Sequence, residues 1–361
     1  MKVQAISGYG GKTPACFLVE ISDRRFLLDL GEGPETGVYP DVSGLGRIDA
    51  VLIGHSHKDH VGALHLLKEI GAPPVYATAM VRQIVGHPAL DATRDLPLRG
   101  TTEILDVKVE TGRASHAPGG IWMRIGGEGG VLYTGDWTLE SELYDFDPPP
   151  AAVVLICDAS YGDYDAPLTD GVRQILDEAA TGPLLLPMPP AGRGLDVAVL
   201  LAEAGVDISI CKAHRGIAAR LIESKAGEVS EEGKRRLYDM LGKAGELTET
   251  SVQGGVMIAA TADAGSGVAE PLASRFAVDG TAHIVFTGHV ADDTPGKKLL
   301  SERRAKFIRW NVHPRASDVA WLVDQVRPKA VLPVFCGQPA LGEFIAANPA
   351  IPFATAQVEI D

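Results

Sequence analysis

Val51-Leu52-Ile53-Gly54-His55-Ser56-His57-Lys58-Asp59-His60 is the stretch that decides how this chain is read. The apolar residues from Ile48 to Gly54 read as a buried strand, and His60 to Gly71 reads as a helix. Between them, His55, His57, Asp59 and His60 pack three imidazoles and a carboxylate into six residues. The whole chain holds only 10 His in 361 residues, so this density is not a matter of composition. Ligands at the carboxyl end of a strand, ahead of a helix, suit an open catalytic metal site. His55 and His57 alternate and can point to one side of an extended loop. Asp59 and His60 are adjacent and must diverge, which suits a second ion beside the first. Imidazole with carboxylate is a donor set for borderline metals such as zinc.

Strands that end in polar residues recur along the chain. Val51 to Gly54 precede His55, Leu132 to Gly135 precede Asp136, Val154 to Cys157 precede Asp158, and Val331 to Phe335 precede Cys336. In an α/β protein such strand ends share one edge, so the residues after them can converge. His116, in Ala114-Ser115-His116-Ala117-Pro118-Gly119, follows a strand expected over Asp106 to Glu110. His116 and Asp136 are therefore further candidate ligands.

Length and composition bound the rest. The chain is long enough for two domains, with 45% hydrophobic and 22% charged residues, as in ordinary globular proteins. No apolar run reaches the roughly 18 residues of a membrane span. Met1-Lys2-Val3-Gln4-Ala5-Ile6 is not read as a signal peptide, and Cys16, Cys157, Cys211 and Cys336 show no framework spacing. A cytoplasmic location with reduced thiols is the expectation. The net charge of −14 argues against loose coating by nucleic acid. A local basic stretch remains at Lys297, Lys298, Arg303, Arg304, Lys306 and Arg309, facing Glu302, and is either a strand-binding patch or a solvated helix face.

Short strands alternate with amphipathic helices, so the fold class is α/β. Strands are expected at Val3 to Ser7, Cys16 to Ile21, Arg25 to Leu30, Ala50 to Gly54 and Val131 to Thr134. After Pro148-Pro149-Pro150 and the strand Ala152 to Cys157, the texture changes near Asp165 to repeated helix and strand units. Thr169 or Asp170, Ser230 and Ser317 are candidate helix caps.

These motifs resemble the metallo-β-lactamase superfamily, whose signature is HxHxDH followed by a lone His and a lone Asp. The likeness extends to the β-CASP branch of nucleic-acid-processing hydrolases. It is carried by Asp158-Ala159-Ser160-Tyr161-Gly162, by Leu184 to Gly194, by Gly288-His289 with Thr294, and by Asn311-Val312-His313-Pro314-Arg315. The resemblance implies an αββα sandwich from residues 1–164 and 307–361, with a β-CASP-type α/β domain inserted over residues 165–306. It implies zinc, one or two ions per chain, with manganese as the alternative. His55, His57 and His116 would hold one ion, Asp59 and His60 the second, and Asp136 would bridge them. A metal-activated water would be the nucleophile, His313 the general acid, and Asp158 its orienting partner. Asp29, in Leu28-Asp29-Leu30-Gly31, matches an aspartate that supports the ligands from behind. One departure stands out. Where the branch carries a histidine after its last apolar strand, this chain has Cys336, which is either a thiolate ligand or an inert buried thiol.

The other histidines carry less. His65 is expected to pack on the cluster, and His87 to lie in a loop. His214 reads as a surface residue, with phosphate contact as the alternative. Arg193, at a glycine-rich helix start, and His289 are candidate substrate contacts. The leading reading is a phosphodiesterase that cleaves RNA or single-stranded DNA in an interdomain cleft. The rivals are a metallo-hydrolase of a small ester, lactone, thioester or phosphodiester, and a non-catalytic subunit of a nucleic-acid-processing complex. The sequence leaves open RNA against DNA, endo against exo action, and monomer against homodimer.

Overall fold

The computed structural model describes residues 1–90 and 94–360. The chain divides into two compact units. The first comprises Met1–Leu139, Asp145–Asp165 and His313–Asp361, and the second comprises Glu140–Tyr144 and Ala166–Val312. The sequence reading placed the return to the first domain at 307, whereas the contacts place it between Val312 and His313. Side-chain bonds account for part of this. Asn311 Nδ2 donates to Glu140 Oε2 at 2.6 Å and to the Ala166 carbonyl at 2.9 Å, all within the second unit.

Two sheets build the first unit. Among the described residues, one has seven strands, in the order Gln357–Glu359, Lys2–Ser7, Cys16–Ile21, Arg24–Leu28, Ala50–Leu52, Val75–Ala77, Arg94–Asp95. The other has six, in the order Ala330–Val334, Val154–Asp158, Val131–Tyr133, Ile121–Ile125, Val107–Arg113, Gly100–Ile104. Alternation along the strands decides what each face meets. Phe17 and Val19 face the core between the sheets, with Leu28, Leu52, Met123, Tyr133, Ile156 and Leu332. Cys16 and Leu18 face the other way, with Val51, Ile53, Val61 and Leu64. Behind the second sheet, Leu132, Leu155 and Val331 pack against Val319 and Leu322 of helix Ala316–Val326 and Phe344 of helix Ala340–Ala347. The result is helix, sheet, sheet, helix. Burying each such Leu, Val or Phe contributes roughly 1.5–3 kcal/mol, so these cores hold the strand ends rigidly in place.

The second unit holds a sheet whose pairings are all parallel. Its order is Gly245–Leu247, Ile208–Cys211, Val256–Ala259, Leu184–Pro187, His283–Phe286, Lys306–Phe307. The helices between its strands bury apolar faces, as Leu195, Val197, Ala198 and Leu201 do on Arg193–Glu203.

Local departures from the sequence reading have physical causes. The helix expected from His60 to Gly71 is a short α-helix, Lys58–Val61, followed by a 3₁₀ helix, Leu64–Ile70. The break falls where the Ala63 amide leaves the helix ladder and donates to the Leu30 carbonyl at 2.9 Å. Helix Leu168–Thr181 begins before both expected caps, and its Leu168 amide is instead taken by Glu140 Oε1 at 2.8 Å. Ser317 is not the cap of its helix either. Arg315 holds that place with Asp318, and Ser317 Oγ donates to Asp165 at 2.6 Å. The Ser230 cap does form, accepting from the Gly233 amide at 3.0 Å.

Candidate metal centre

The ligand candidates sit on strand ends and short loops of the first unit, which their flanking elements fix. His55 follows strand Ala50–Leu52, and His57 precedes the short helix that carries Asp59 and His60. His116 lies between strands Val107–Arg113 and Ile121–Ile125. Asp136 follows Val131–Tyr133, and Asp158 closes Val154–Asp158. Several turns beside these residues use left-handed backbone: Asp29 (φ 59°), Ser115 (φ 61°), Gly135 (φ 55°) and Phe335 (φ 66°). For the residues other than glycine this costs of order 1–3 kcal/mol each, which the surrounding cores must over-determine.

Three groups of donor atoms result, each with its atoms within 4.8 Å of one another: His55, His57, His116 and Asp136; Asp59, His60 and Asp136; and Asp136, Asp158 and His313. Asp136 belongs to all three. Its Oδ2 lies 3.8 Å from His55 Nε2 and 3.5 Å from His116 Nε2, and its Oδ1 lies 3.2 Å from His60 Nε2. His116 Nε2 is 3.0 Å from His57 Nδ1.

The donor chemistry fits a divalent ion. Both ring nitrogens of His55 and Nε2 of His60 are buried without a hydrogen-bond partner. Leaving such atoms bare is costly unless something coordinates them. Burial, with His60 and His57 nearby, holds His55 well below its usual pKa, so it is neutral and its lone pair is free. Burial also disfavours charge on His60, but Asp136, Asp29 and Asp59 outweigh it and hold that imidazole well above its usual pKa. Burial alone would raise the Asp136 pKa, yet His60 and His313 keep it well below the carboxylate range. The carboxylates thus stabilise positive charge where His60 and Asp136 meet, a place that a metal ion would occupy in turn.

Behind the candidate ligands lies Asp29, fully buried. Its Oδ1 accepts from the Gly54 amide at 2.6 Å. Its Oδ2 accepts from the Tyr133 hydroxyl and lies 2.6 Å from His60 Nδ1. With Nδ1–H spent on Asp29, Nε2 is the nitrogen of His60 that an ion would take in place of its proton. Burial and the neighbouring Asp29 keep the Tyr133 hydroxyl well above its ordinary pKa, so it remains a donor.

His313 and Asp158 form a dyad beside the same carboxylate. His313 Nδ1 lies 2.7 Å from Asp158 Oδ2 and 3.8 Å from Asp136 Oδ2. Asp158 Oδ1 accepts from the Ser160 amide at 2.9 Å and its hydroxyl at 2.6 Å. Two neighbours had no signal in the local sequence. Lys12 Nζ is 3.5 Å from His313 Nε2, although 301 residues separate them in the chain. The Phe335 ring lies against His60, 5.3 Å between centroids.

Cys336 is not in any of these donor groups. Its backbone turns after Phe335, and the thiol enters the apolar cluster of Leu341 and Phe344. Burial and nearby Asp158 push its pKa up to about 11. Other candidate residues are outside these donor groups as well. His65 is exposed and packs on Tyr39 rather than on the ligands. His87 accepts from the Ala89 amide in its loop. His214 is neither a surface residue nor a phosphate contact, because it is fully buried beside Cys211. Arg193 and His289 belong to the second unit, after strands Leu184–Pro187 and His283–Phe286, and Arg193 Nε donates to Thr287 Oγ1 at 3.0 Å. The basic stretch is largely neutralised. Lys297 pairs with Asp292, Lys298 and Arg304 with Glu302, and Lys306 with Glu178, a residue remote in sequence.

Residues 9–179 match the metallo-beta-lactamase superfamily. A ribonuclease of Thermus thermophilus is 31% identical over 46% of this chain and 45% of its own length. Transcription termination factor FttA of Methanosarcina mazei is 28% identical over 56% of this chain and 39% of its own. Endoribonuclease YSH1 of Yarrowia lipolytica is 24% identical over 80% of this chain and 42% of its own. The chain thus spans less than half the length of these curated relatives. A crystal structure of a protein of unknown function from Enterococcus faecalis matches over 99% of both chains with a TM-score of 0.59 and 14% identity, a likeness of fold. The HxHxDH run, its strand-end partners, the sandwich that carries them and the sequence match agree: the chain carries a metallo-β-lactamase superfamily domain.

Proposed function

We propose that this protein is a metal-dependent phosphodiesterase of the β-CASP type that cleaves RNA, with single-stranded DNA as the second candidate. The observation that carries this reading is one buried carboxylate, Asp136, shared by the three imidazoles of His55, His57 and His116, by Asp59 with His60, and by the His313–Asp158 dyad. The three relatives named above for ribonuclease activity or transcription termination support RNA as the substrate.

His55, His57, His116 and Asp136 would hold one ion, and Asp59, His60 and Asp136 the other. Zinc suits these donors best. When bound, such ions lower the pKa of a coordinated water and polarise a phosphoryl oxygen. The chain's own residues do the rest. Asp29 sets the tautomer of His60 and keeps its ring aimed at Asp136. Asp158 takes the Nδ1 proton of His313 as a hydrogen bond, so the proton on Nε2 is the one that can be given away. When the phosphorus–oxygen bond breaks, the leaving oxygen takes that proton and departs as an alcohol. Ser160 holds the carboxylate that holds the imidazole.

The test is cleavage of end-labelled single-stranded RNA and DNA by zinc- or manganese-loaded protein, with Asp59→Ala alongside. Cleavage of RNA by the wild type and none by Asp59→Ala is the expected result. Cleavage that survives Asp59→Ala would refute the site. Hydrolysis of small esters with no cleavage of either strand would refute the substrate.

A further inference from the structure

We propose that Lys12 is a substrate-binding residue of this centre: its ammonium takes a non-bridging oxygen of the scissile phosphodiester beside His313, and so selects an anionic ester over a neutral one. The inference rests on the phosphodiesterase reading above and adds a residue to it. Nothing in the HxHxDH pattern or the strand ends points to Lys12.

The geometry starts from the loop that carries it. Strands Lys2–Ser7 and Cys16–Ile21 are joined through Gly8-Tyr9-Gly10-Gly11-Lys12-Thr13-Pro14-Ala15. A loop this rich in glycine would wander if it were free. It is instead fastened to the site at both ends. The Gly8 carbonyl accepts from the Phe335 amide at 2.7 Å, and the Ala15 amide donates to the Asp59 carbonyl at 2.8 Å. The Gly8 amide also donates to Thr13 Oγ1 at 2.8 Å, and Ser7 Oγ donates to the Pro14 carbonyl. Gly8 itself has φ 92°, and a Cβ there would come within 2.7 Å of the Phe17 ring, so only glycine suits the turn. The loop's anchors are thus a proposed metal ligand and the strand end that packs Phe335 on His60.

The loop delivers Lys12 Nζ to 3.5 Å from His313 Nε2, the atom assigned the transferable proton. When Nε2 carries that proton, both groups are donors and neither can bond to the other. They are left facing a common acceptor. Among the described residues, no carboxylate lies in ion-pair range of Lys12, so the protein supplies no such acceptor. Lys58, inside the histidine-rich run, shows the contrast: its ammonium is tied to Glu32 at 3.1 Å. A phosphodiester brings the missing acceptor. Its leaving oxygen meets Nε2 and a neighbouring non-bridging oxygen meets Nζ. Lysine suits this task as a compact point charge with rotatable donors. A positive group placed where phosphoryl charge must be stabilised acts in the transition state as well as in binding. A lactone or carboxylic ester has no such anionic oxygen before reaction, so it gains less from Lys12.

The test compares two substrates with the same leaving group, bis(p-nitrophenyl) phosphate and p-nitrophenyl acetate. Metal-loaded wild type, Lys12→Met and Lys12→Arg are assayed on both. Lys12→Met should lower the ratio of kcat/KM for the phosphodiester over the ester at least about tenfold, within the range known for removing one charge-stabilising donor. Lys12→Arg should recover most of that ratio. A second readout needs no turnover: binding of a fluorescent single-stranded RNA to metal-free protein across a salt series. Losing one phosphate contact should flatten the plot of log affinity against log salt by roughly 0.7, while the exposed Lys68→Met leaves it unchanged. A ratio within twofold of wild type, or an unchanged salt slope in Lys12→Met, would overturn the proposal. Wild type that cleaves no phosphodiester would overturn the functional reading instead, and the salt slope would still decide the case of Lys12. If Lys12→Met melts below wild type, Lys12→Gln replaces it.

Discussion

Replacing Asp29 with asparagine isolates one charge behind the proposed metal ligands. Asparagine tolerates the left-handed backbone at this position, so the exchange adds little strain. All of the partners described for the carboxylate act as donors: the Gly54 amide, the Tyr133 hydroxyl and His60 Nδ1–H. Asparagine offers one acceptor oxygen and one NH₂ group. With the oxygen toward Gly54, the NH₂ faces His60 Nδ1 and favours the tautomer that carries its proton on Nε2, the wrong nitrogen for a ligand. With the oxygen toward His60, the Gly54 amide is buried against another donor. Either way the support of His60 is damaged. Supporting partners of this kind are worth 10- to 100-fold in metal affinity, or about 1.4–2.8 kcal/mol. A stranded buried amide costs about 1–3 kcal/mol of folding stability. Zinc competition against a chromophoric chelator measures the first, and urea unfolding of metal-free protein measures the second. A zinc affinity within twofold of wild type would refute the argument that Asp29 sets the ligating form of His60.

Other expectations follow from the same geometry. His313→Ala should slow RNA cleavage about 10²–10⁴-fold and lose far less on bis(p-nitrophenyl) phosphate, whose leaving group needs no proton; equal losses on both would deny His313 the role of acid. Cys336→Ala should leave zinc affinity and stoichiometry unchanged, because the thiol lies outside the donor groups and is held protonated with a pKa pushed up to about 11; loss of a bound zinc would restore it as a ligand. Burial holds His214 neutral, its pKa pushed down to about 4. The unfolded chain therefore binds a proton that the fold refuses, and stability should fall as pH drops from about 6.5 toward 4, by up to roughly 3 kcal/mol. Urea unfolding across that range should show a flatter dependence for His214→Asn, and an identical slope would contradict the assignment.

The sequence exposed most of the candidate centre because its residues sit at strand ends. Each follows an apolar run, and strand-end residues on neighbouring strands are brought together by the sheet itself. Tyr133 pairs with Ile156, and Asp158 with Val334, in adjacent parallel strands, so the loops beyond them open on the same edge. The same logic left Cys336 open between a ligand and an inert buried thiol. Its strand is in register, but the left-handed turn at Phe335 sends the thiol into the helix layer, and no local residue type announces such a turn. Lys12 was illegible for a different reason. A lysine in a glycine-rich loop looks like a solvated residue until Gly8 and Ala15 are seen bonded to Phe335 and Asp59. His214 sits among Lys212 and Arg215 in the sequence, yet its helix turns it inward while they lie at the surface side. The basic run from Lys297 stayed open between a strand-binding patch and a solvated face because Glu178, which pairs with Lys306, is far away in the chain.

The most direct test of the centre is crystallography of zinc-loaded protein, with anomalous scattering recorded on both sides of the zinc edge. The account predicts two peaks about 3.5–4 Å apart, one among His55, His57, His116 and Asp136, the other among Asp59, His60 and Asp136. It also predicts that His313 and Asp158 remain paired with each other. A zinc ion held by His313 and Asp158, or no zinc at the histidine-rich run, would contradict it.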